Sequence, residues 1–486
     1  MIFNSIQFLI FLPLITAIYY IIPKKIRYIW LLLISYYFYM CWNPKYVILI
    51  IVSTLITFWG GLGIQLCRNN YPQHKNICKA IVIICFSCNL GILIFFKYFD
   101  WILSNINHLF HLEIVPSFSF ILPVGISFYT FQALGYIIDI YRGEINAEKN
   151  IFRYALFISF FPQLVAGPIE RSKNLLTQLR TVDNSKINFM EIRNGLCLIL
   201  YGFFLKLVIA DRVAILVDTV FGYYTEYGFL ELVIAAFLFS LQILCDFNGY
   251  SIIAKGSAQL LGIKLMDNFY QPYLASSIKE FWRRWHISLT SWFTEYLYIP
   301  LGGSKKGTFR QIVNTLVVFC VSGLWHGASW HYVAWGIIHG LYQIIEIGID
   351  KLKRTFNIQS GKMIFSSRIA RMSFVFILTS IAWIFFRADS CKHAFLFFGQ
   401  MFTSLQRVSL LDLGLSWYDW LILAVSITTM LVVDILHEKG IKIREWLYGE
   451  KIWFRWLIYL TAFGSILLFG IYGADYDTSQ FIYFQF

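Results

Sequence analysis

Long apolar runs alternate with short polar breaks from one end of the chain to the other. The runs Tyr46–Leu66, Ala80–Phe96, Phe229–Leu244, Met372–Phe386, Trp417–Ile435 and Trp453–Tyr472 are near the roughly 20 residues an α-helix needs to cross a bilayer. About ten to twelve such segments, some too short to span alone, predict an all-α polytopic membrane protein. They run end to end, so residues 1–486 read as one membrane domain with no soluble module. The opening run Met1–Ile22 has neither a charged leader nor a small-residue cleavage site, and reads as a retained helix.

Composition supports that reading. Of 486 residues, 58% are hydrophobic and 14% charged, against about 25% charged in soluble domains. The nine cysteines fall mostly in apolar segments (Cys85, Cys88, Cys197, Cys245, Cys320). They are odd in number and lack metal-ligand spacing, so free buried thiols are expected, with no disulfide framework and no metal site. The net charge of +13 reflects basic breaks between helices rather than a nucleic-acid surface. Such clusters occur at Lys24 to Arg27, Arg68 to Lys79, Arg142 to Arg153, Arg171 to Lys186, Lys305 to Arg310, Lys351 to Arg371 and Lys439 to Arg455. Placing them all in the cytoplasm gives an alternating topology with both termini outside. Basic breaks flank Tyr154–Pro168 on both sides, so this segment is expected to dip into the membrane and return. Such a backbone is tolerated only within protein or beside a water-filled cavity.

Candidate chemistry sits where lipid would exclude it. In SGLWHGASWHY, Ser322 to Tyr332, a turn joins Gln311–Leu324 to Tyr332–Ile349 as a hairpin. His326 stands there among Gly323, Gly327 and Ala328, which permit close approach of a ligand or a neighbouring backbone. An ionisable residue at this depth is a functional candidate; the alternative is a histidine hydrogen-bonded within the bundle. Lys279 to Pro300 places Phe281, Trp282, Trp285, Leu289, Trp292, Phe293 and Tyr296 on one face about 120° wide. That predicts one interfacial helix with its aromatics in lipid and Arg283 and Arg284 toward water. His286 falls at the edge of the apolar face, pointing into the protein or merely anchoring. Asp246, Asn248, Gln163, Glu170 and Ser127 are polar within apolar stretches. Each requires a partner, as cavity lining or as structural fastening.

These stretches together resemble the membrane-bound O-acyltransferase (MBOAT) superfamily, in its bacterial alginate-O-acetylase branch. PVGISFYTFQ (Pro123–Gln132), FPQLVAGPIER (Phe161–Arg171), CDFNGYSIIAKG (Cys245–Gly256), NFYQPY (Asn268–Tyr273), FWRRWHISLTSW (Phe281–Trp292), SGLWHG (Ser322–Gly327) and FFRA (Phe385–Ala388) carry the resemblance in order. It implies helices around a tunnel reached from both sides, with His326 at the near-invariant catalytic position and His286 at a second, more variable one. It also implies an acyl donor in the cytoplasm and no bound cofactor. Asp246, Asn248, Trp325, Arg284 and Gln163 become candidate substrate-binding residues. The branch works with a separate extracytoplasmic SGNH-type enzyme acting on an envelope polysaccharide.

The final FIYFQF, within a tail spanning 474–486, resembles the branch's C-terminal F-x-Y-x-x-F motif, with Phe481, Tyr483 and Phe486 at its fixed positions. The resemblance implies that Tyr483 receives the acyl group, seated by the two phenylalanines. An aromatic belt at the outer interface is the alternative. A phenol suits the task because thiol and phenol have pKa values of about 8.5 and 10, so thioester and phenyl ester are both activated. Acetyl-CoA is the expected donor, and its polyanionic carrier stays behind because it cannot cross lipid. D-alanyl transfer to teichoic acid, transfer to a lipid, and a transporter are the rival readings. Against the transporter, the sequence shows no repeat with paired broken segments.

Overall fold

The computed structural model describes residues 1–111, 122–165, 167–356, 367–404 and 408–472. All regular structure in the described residues is helical, with no strand. Among the described residues, eight helices are long and apolar enough to cross a membrane, including Pro44–Asn70, Phe229–Leu260, Thr308–His326, Trp330–Lys353 and Ile452–Phe469; Ile6–Ile21 is apolar but shorter. The chain forms two compact units, one of Met1–Ile199 with Ser251–Asp267, the other of Leu200–Tyr250 with Asn268–Phe486.

In the first unit, polar side chains inside apolar helices bond across to neighbouring helices, as burial away from water requires. Tyr154 donates to Thr57 Oγ1 at 2.7 Å, and the Phe161 amide to Ser35 Oγ at 3.1 Å. The segment expected to dip and return is two short helices, Ile151–Ser159 and Phe161–Leu164, broken at Phe160 ahead of Pro162. Nine helical residues rise only about 14 Å, too little for a crossing. The basic stretches at its two ends are tied together by Arg153–Asp183 at 2.6 Å, Arg180–Glu148 at 2.7 Å and Lys173–Glu144 at 2.7 Å. The chain therefore enters and leaves this segment at one level. Gln163, within it, donates to Gln132 Oε1 at 2.9 Å and to the Phe157 carbonyl at 3.1 Å, a fastening between turns.

In the second unit the expected hairpin is present. Helices Thr308–His326 and Trp330–Thr355 are joined by only three residues. The helices nearly touch at the turn: a Cβ on Gly323 would lie 2.3 Å from the Tyr332 carbonyl oxygen. The last span, Ile452–Phe469, buries only Ile466 and leaves Trp453, Trp456, Leu460 and Leu468 exposed, as expected of a helix facing lipid. The nine cysteines are free; Cys67, Cys78, Cys85 and Cys245 are buried, whereas Cys88 is exposed.

The single interfacial helix expected over Lys279 to Pro300 is not what forms. Helix Ile278–Arg284 stops, His286 adopts a left-handed backbone (φ 43°, ψ 54°), and a second helix runs Ile287–Phe293. Phe281, Trp282, Trp285, Leu289 and Trp292 are buried in protein rather than presented to lipid. Trp285 packs 5.0 Å from Trp383, and Trp282 lies 5.0 Å from Phe319. Arg284 is largely withdrawn from solvent, bonded to Glu280 at 2.6 Å and to Glu438 at 2.7 Å.

Candidate active site

The two histidines picked out in the sequence both lie in the second unit and share a neighbour, Trp325. His326 is the last residue of the first hairpin helix and is buried. Its imidazole is walled edge-on by Trp325 at 4.9 Å, Trp335 at 5.1 Å and Phe386 at 5.3 Å between ring centroids. His286 is buried at the break between the two short helices, with Phe247 edge-on at 4.7 Å. Trp325 also meets the His286 ring, at 5.9 Å. One indole thus packs against both imidazoles. This arrangement follows from local structure: the turn brings His326 to a helix end, and the left-handed His286 directs its ring away from the run of the helix.

Polar support for His286 comes from close by. Its Nδ1 lies 3.5 Å from Ser288 Oγ, and Ser288 donates to Asn268 Oδ1 at 2.6 Å. The backbone amide of Ile287 donates to the Asn268 carbonyl at 2.8 Å, so Asn268 holds the break from two atoms. Burial pushes the His286 imidazole down to about 3, which keeps it neutral. On the far side of the hairpin, His331 Nδ1 contacts the Phe385 carbonyl at 3.0 Å, tying the hairpin to the FFRA stretch.

The other candidates divide by role. Trp325 belongs to the site directly. Asp246 is engaged elsewhere: Lys206 Nζ lies 2.7 Å from it and 2.8 Å from Asp211, all three buried. Its contribution to the site passes through its neighbour Phe247. Asn248 lies about 200° around the same helix from Asp246 and is half-buried. Arg284 is occupied by the carboxylates of Glu280 and Glu438, and Gln163 belongs to the first unit. Tyr483, Phe481 and Phe486 lie outside the described residues.

Sequence reasoning passed over four residues near this site. Asn268 opens NFYQPY without any mark of its own, and Ser288, on the polar face of the unbroken helix first expected, read as turned toward water. Lys206, in GFFLKLVIADR, and His339, in the second hairpin helix, are single ionisable groups in apolar runs, the pattern that singled out His326. His339 is fully buried; Trp282 Nε1 donates to its Nδ1 at 3.3 Å.

A family model described as the membrane-bound O-acyltransferase family matches residues 144–387, which include both histidines. The probable alginate O-acetylase AlgI of Pseudomonas putida is 35% identical over 410 residues, covering 83% of this chain and 80% of that protein. The peptidoglycan O-acetyltransferase of Helicobacter pylori is 34% identical over 392 residues, covering 75% and 72%. The teichoic acid D-alanyltransferase of Bacillus subtilis is 25% identical over 299 residues, covering 60% and 74%. By sequence match, the chain belongs to the membrane-bound O-acyltransferase family and is an O-acyltransferase.

Proposed function

We propose that this enzyme takes an acetyl group from acetyl-CoA on the cytoplasmic side and loads it onto the phenol of Tyr483 outside. A separate extracytoplasmic SGNH-type enzyme then carries it to a cell-envelope polysaccharide. The observation that carries the reading is the pair of buried imidazoles sharing the Trp325 ring at the hairpin turn. The names of the similar proteins from Pseudomonas putida and Helicobacter pylori support an acetyl group and a polysaccharide acceptor.

His326 is the base. It takes the phenolic proton as the Tyr483 oxygen attacks the thioester carbonyl; the new C–O bond forms, the C–S bond breaks, and the imidazolium returns the proton to the departing thiolate. Transfer from thioester to phenyl ester keeps the acyl group activated. His286, neutral and held by Ser288, orients the donor or serves as a second base. The aromatic rings around His326 exclude water that would hydrolyse the thioester. Both termini are extracytoplasmic in this reading, consistent with the basic breaks lying inside.

The test is incubation of purified enzyme with isotopically labelled acetyl-CoA, followed by mass spectrometry of the C-terminal peptide. Label is expected on Tyr483 and is absent from Tyr483→Phe; His326→Ala lowers its appearance by about 10²-fold or more. Polysaccharide acetylated at the normal rate by Tyr483→Phe overturns the relay.

A further inference from the structure

Immediately before the tail, the chain is bolted to one short segment of the second unit. That segment is the π-helical stretch Phe204–Ala210 together with Asp211 and Arg212 at the head of the next helix. Such departures from α-helical winding concentrate at functional sites. The buried guanidinium of Arg212 donates to the Phe469 carbonyl at 2.8 Å, to the Val208 carbonyl at 2.7 Å and to Asp419 Oδ1 at 3.0 Å. The Ile471 amide, two residues beyond the end of the last span, donates to the Leu207 carbonyl at 2.9 Å. Between these two bonds, Gly470 lets the chain turn out of the helix: a Cβ there would lie 2.6 Å from the Ile466 carbonyl oxygen.

The same segment is pinned toward the imidazoles. Lys206, next to Leu207, holds Asp246 and Asp211, and Phe247, next to Asp246, packs on His286. A buried lysine between two carboxylates fixes both helices, because moving either leaves a charge uncompensated. The root of the tail and the wall of the His286 site therefore hang on adjacent residues.

We propose that Arg212 is a positioning residue for acyl transfer, fixing the place and direction from which the C-terminal tail departs. The proposal rests on the reading of Tyr483 as acyl carrier. Arg212 touches neither donor nor imidazole in it. Its fork reaches two backbone carbonyls and a carboxylate at once, a geometry that the single ammonium of lysine does not reproduce.

Three full-length variants in lipid nanodiscs test it: Arg212→Lys, Arg212→Gln and Ile471→Pro. The last removes the amide that bonds Leu207, along with the isoleucine side chain, at a half-buried position where Gly470, with ψ 147°, already has the conformation a following proline favours. Two measurements are made on each: amide hydrogen exchange, and the rate of Tyr483 labelling from acetyl-CoA. Exchange in the peptide containing Ile471 is expected to quicken in the arginine variants, with the hairpin helices as protected as in wild type. Labelling is expected to slow by about 10²-fold in all three, since small misplacements of a reacting group cost that much, with an unchanged KM for acetyl-CoA. Wild-type labelling rates in Ile471→Pro, or full restoration by Arg212→Lys, overturn the proposal; the second outcome would reduce Arg212 to balancing the charge of Asp419. A wild-type tail that never takes label overturns the carrier reading, and this proposal with it.

Discussion

A histidine at positive φ is uncommon; of the two among the described residues, His111 and His286, the second is one of the two candidate bases. The left-handed backbone of His286 turns its ring into the protein, against Phe247 and Trp325 and beside Ser288. Burial holds the imidazole at about 3, whereas an unfolded histidine titrates near 6.5. Between those values the unfolded chain binds a proton that the folded chain refuses, so stability falls as pH drops from about 6.5 toward 3 and is unaffected by this group above that window. His286→Asn should therefore lose less thermal stability than wild type between pH 7 and pH 5, read by unfolding temperature in detergent. Parallel pH slopes for the two proteins would remove the buried imidazole from the account. The candidate bases themselves were legible as ionisable groups in apolar surroundings. Their support was not: Asn268 reaches Ser288 across 20 positions of sequence, and only the left-handed turn brings them together.

At the scale of elements, the hairpin was legible and the helix before it was not. Small residues around His326 foretold a close turn, and the Gly323 contact with Tyr332 is that closeness in ångströms. Gly323→Ala must push the two helices apart and should cost about 1–3 kcal/mol. Acetyl transfer should fall with it, because the displacement lies three residues from His326. Unfolding temperature and transfer rate measured together check this; a variant with normal values for both would mean the turn tolerates a methyl group. The stretch from Lys279 to Pro300 misled because helical-wheel arithmetic assumes an unbroken helix. The turn at His286 resets the register, so residues that fall on one calculated face belong to two short helices packed into protein. Amphipathicity identified which side chains are apolar but not whether lipid or Trp383 would cover them.

For the whole molecule, charge was the most informative signal. Two basic breaks around one short apolar segment implied a return to the same side, and the pairs Arg153–Asp183 and Arg180–Glu148 join those breaks directly. A cysteine introduced at Lys173 or at Lys439 should react with a membrane-impermeant maleimide in inside-out vesicles and not in intact cells, measured against the parent protein's own labelling. Reaction from outside at either position would reverse the orientation on which the relay depends. The last described helix, which leaves most of its side chains exposed, brings the membrane itself into the enzyme. Its 18 residues span about 27 Å, close to the thickness of a bilayer's hydrocarbon core. It is fastened at one end through Phe469 and Ile471 and touches the preceding helix at the other through Phe454 and Arg455, with lipid along most of the length between. A thicker or thinner bilayer tilts such a helix, and the tilt is felt first at Arg212, where the chain leaves for its last residues. Lipid composition thereby becomes an input to the reaction, set by the host rather than by any substrate.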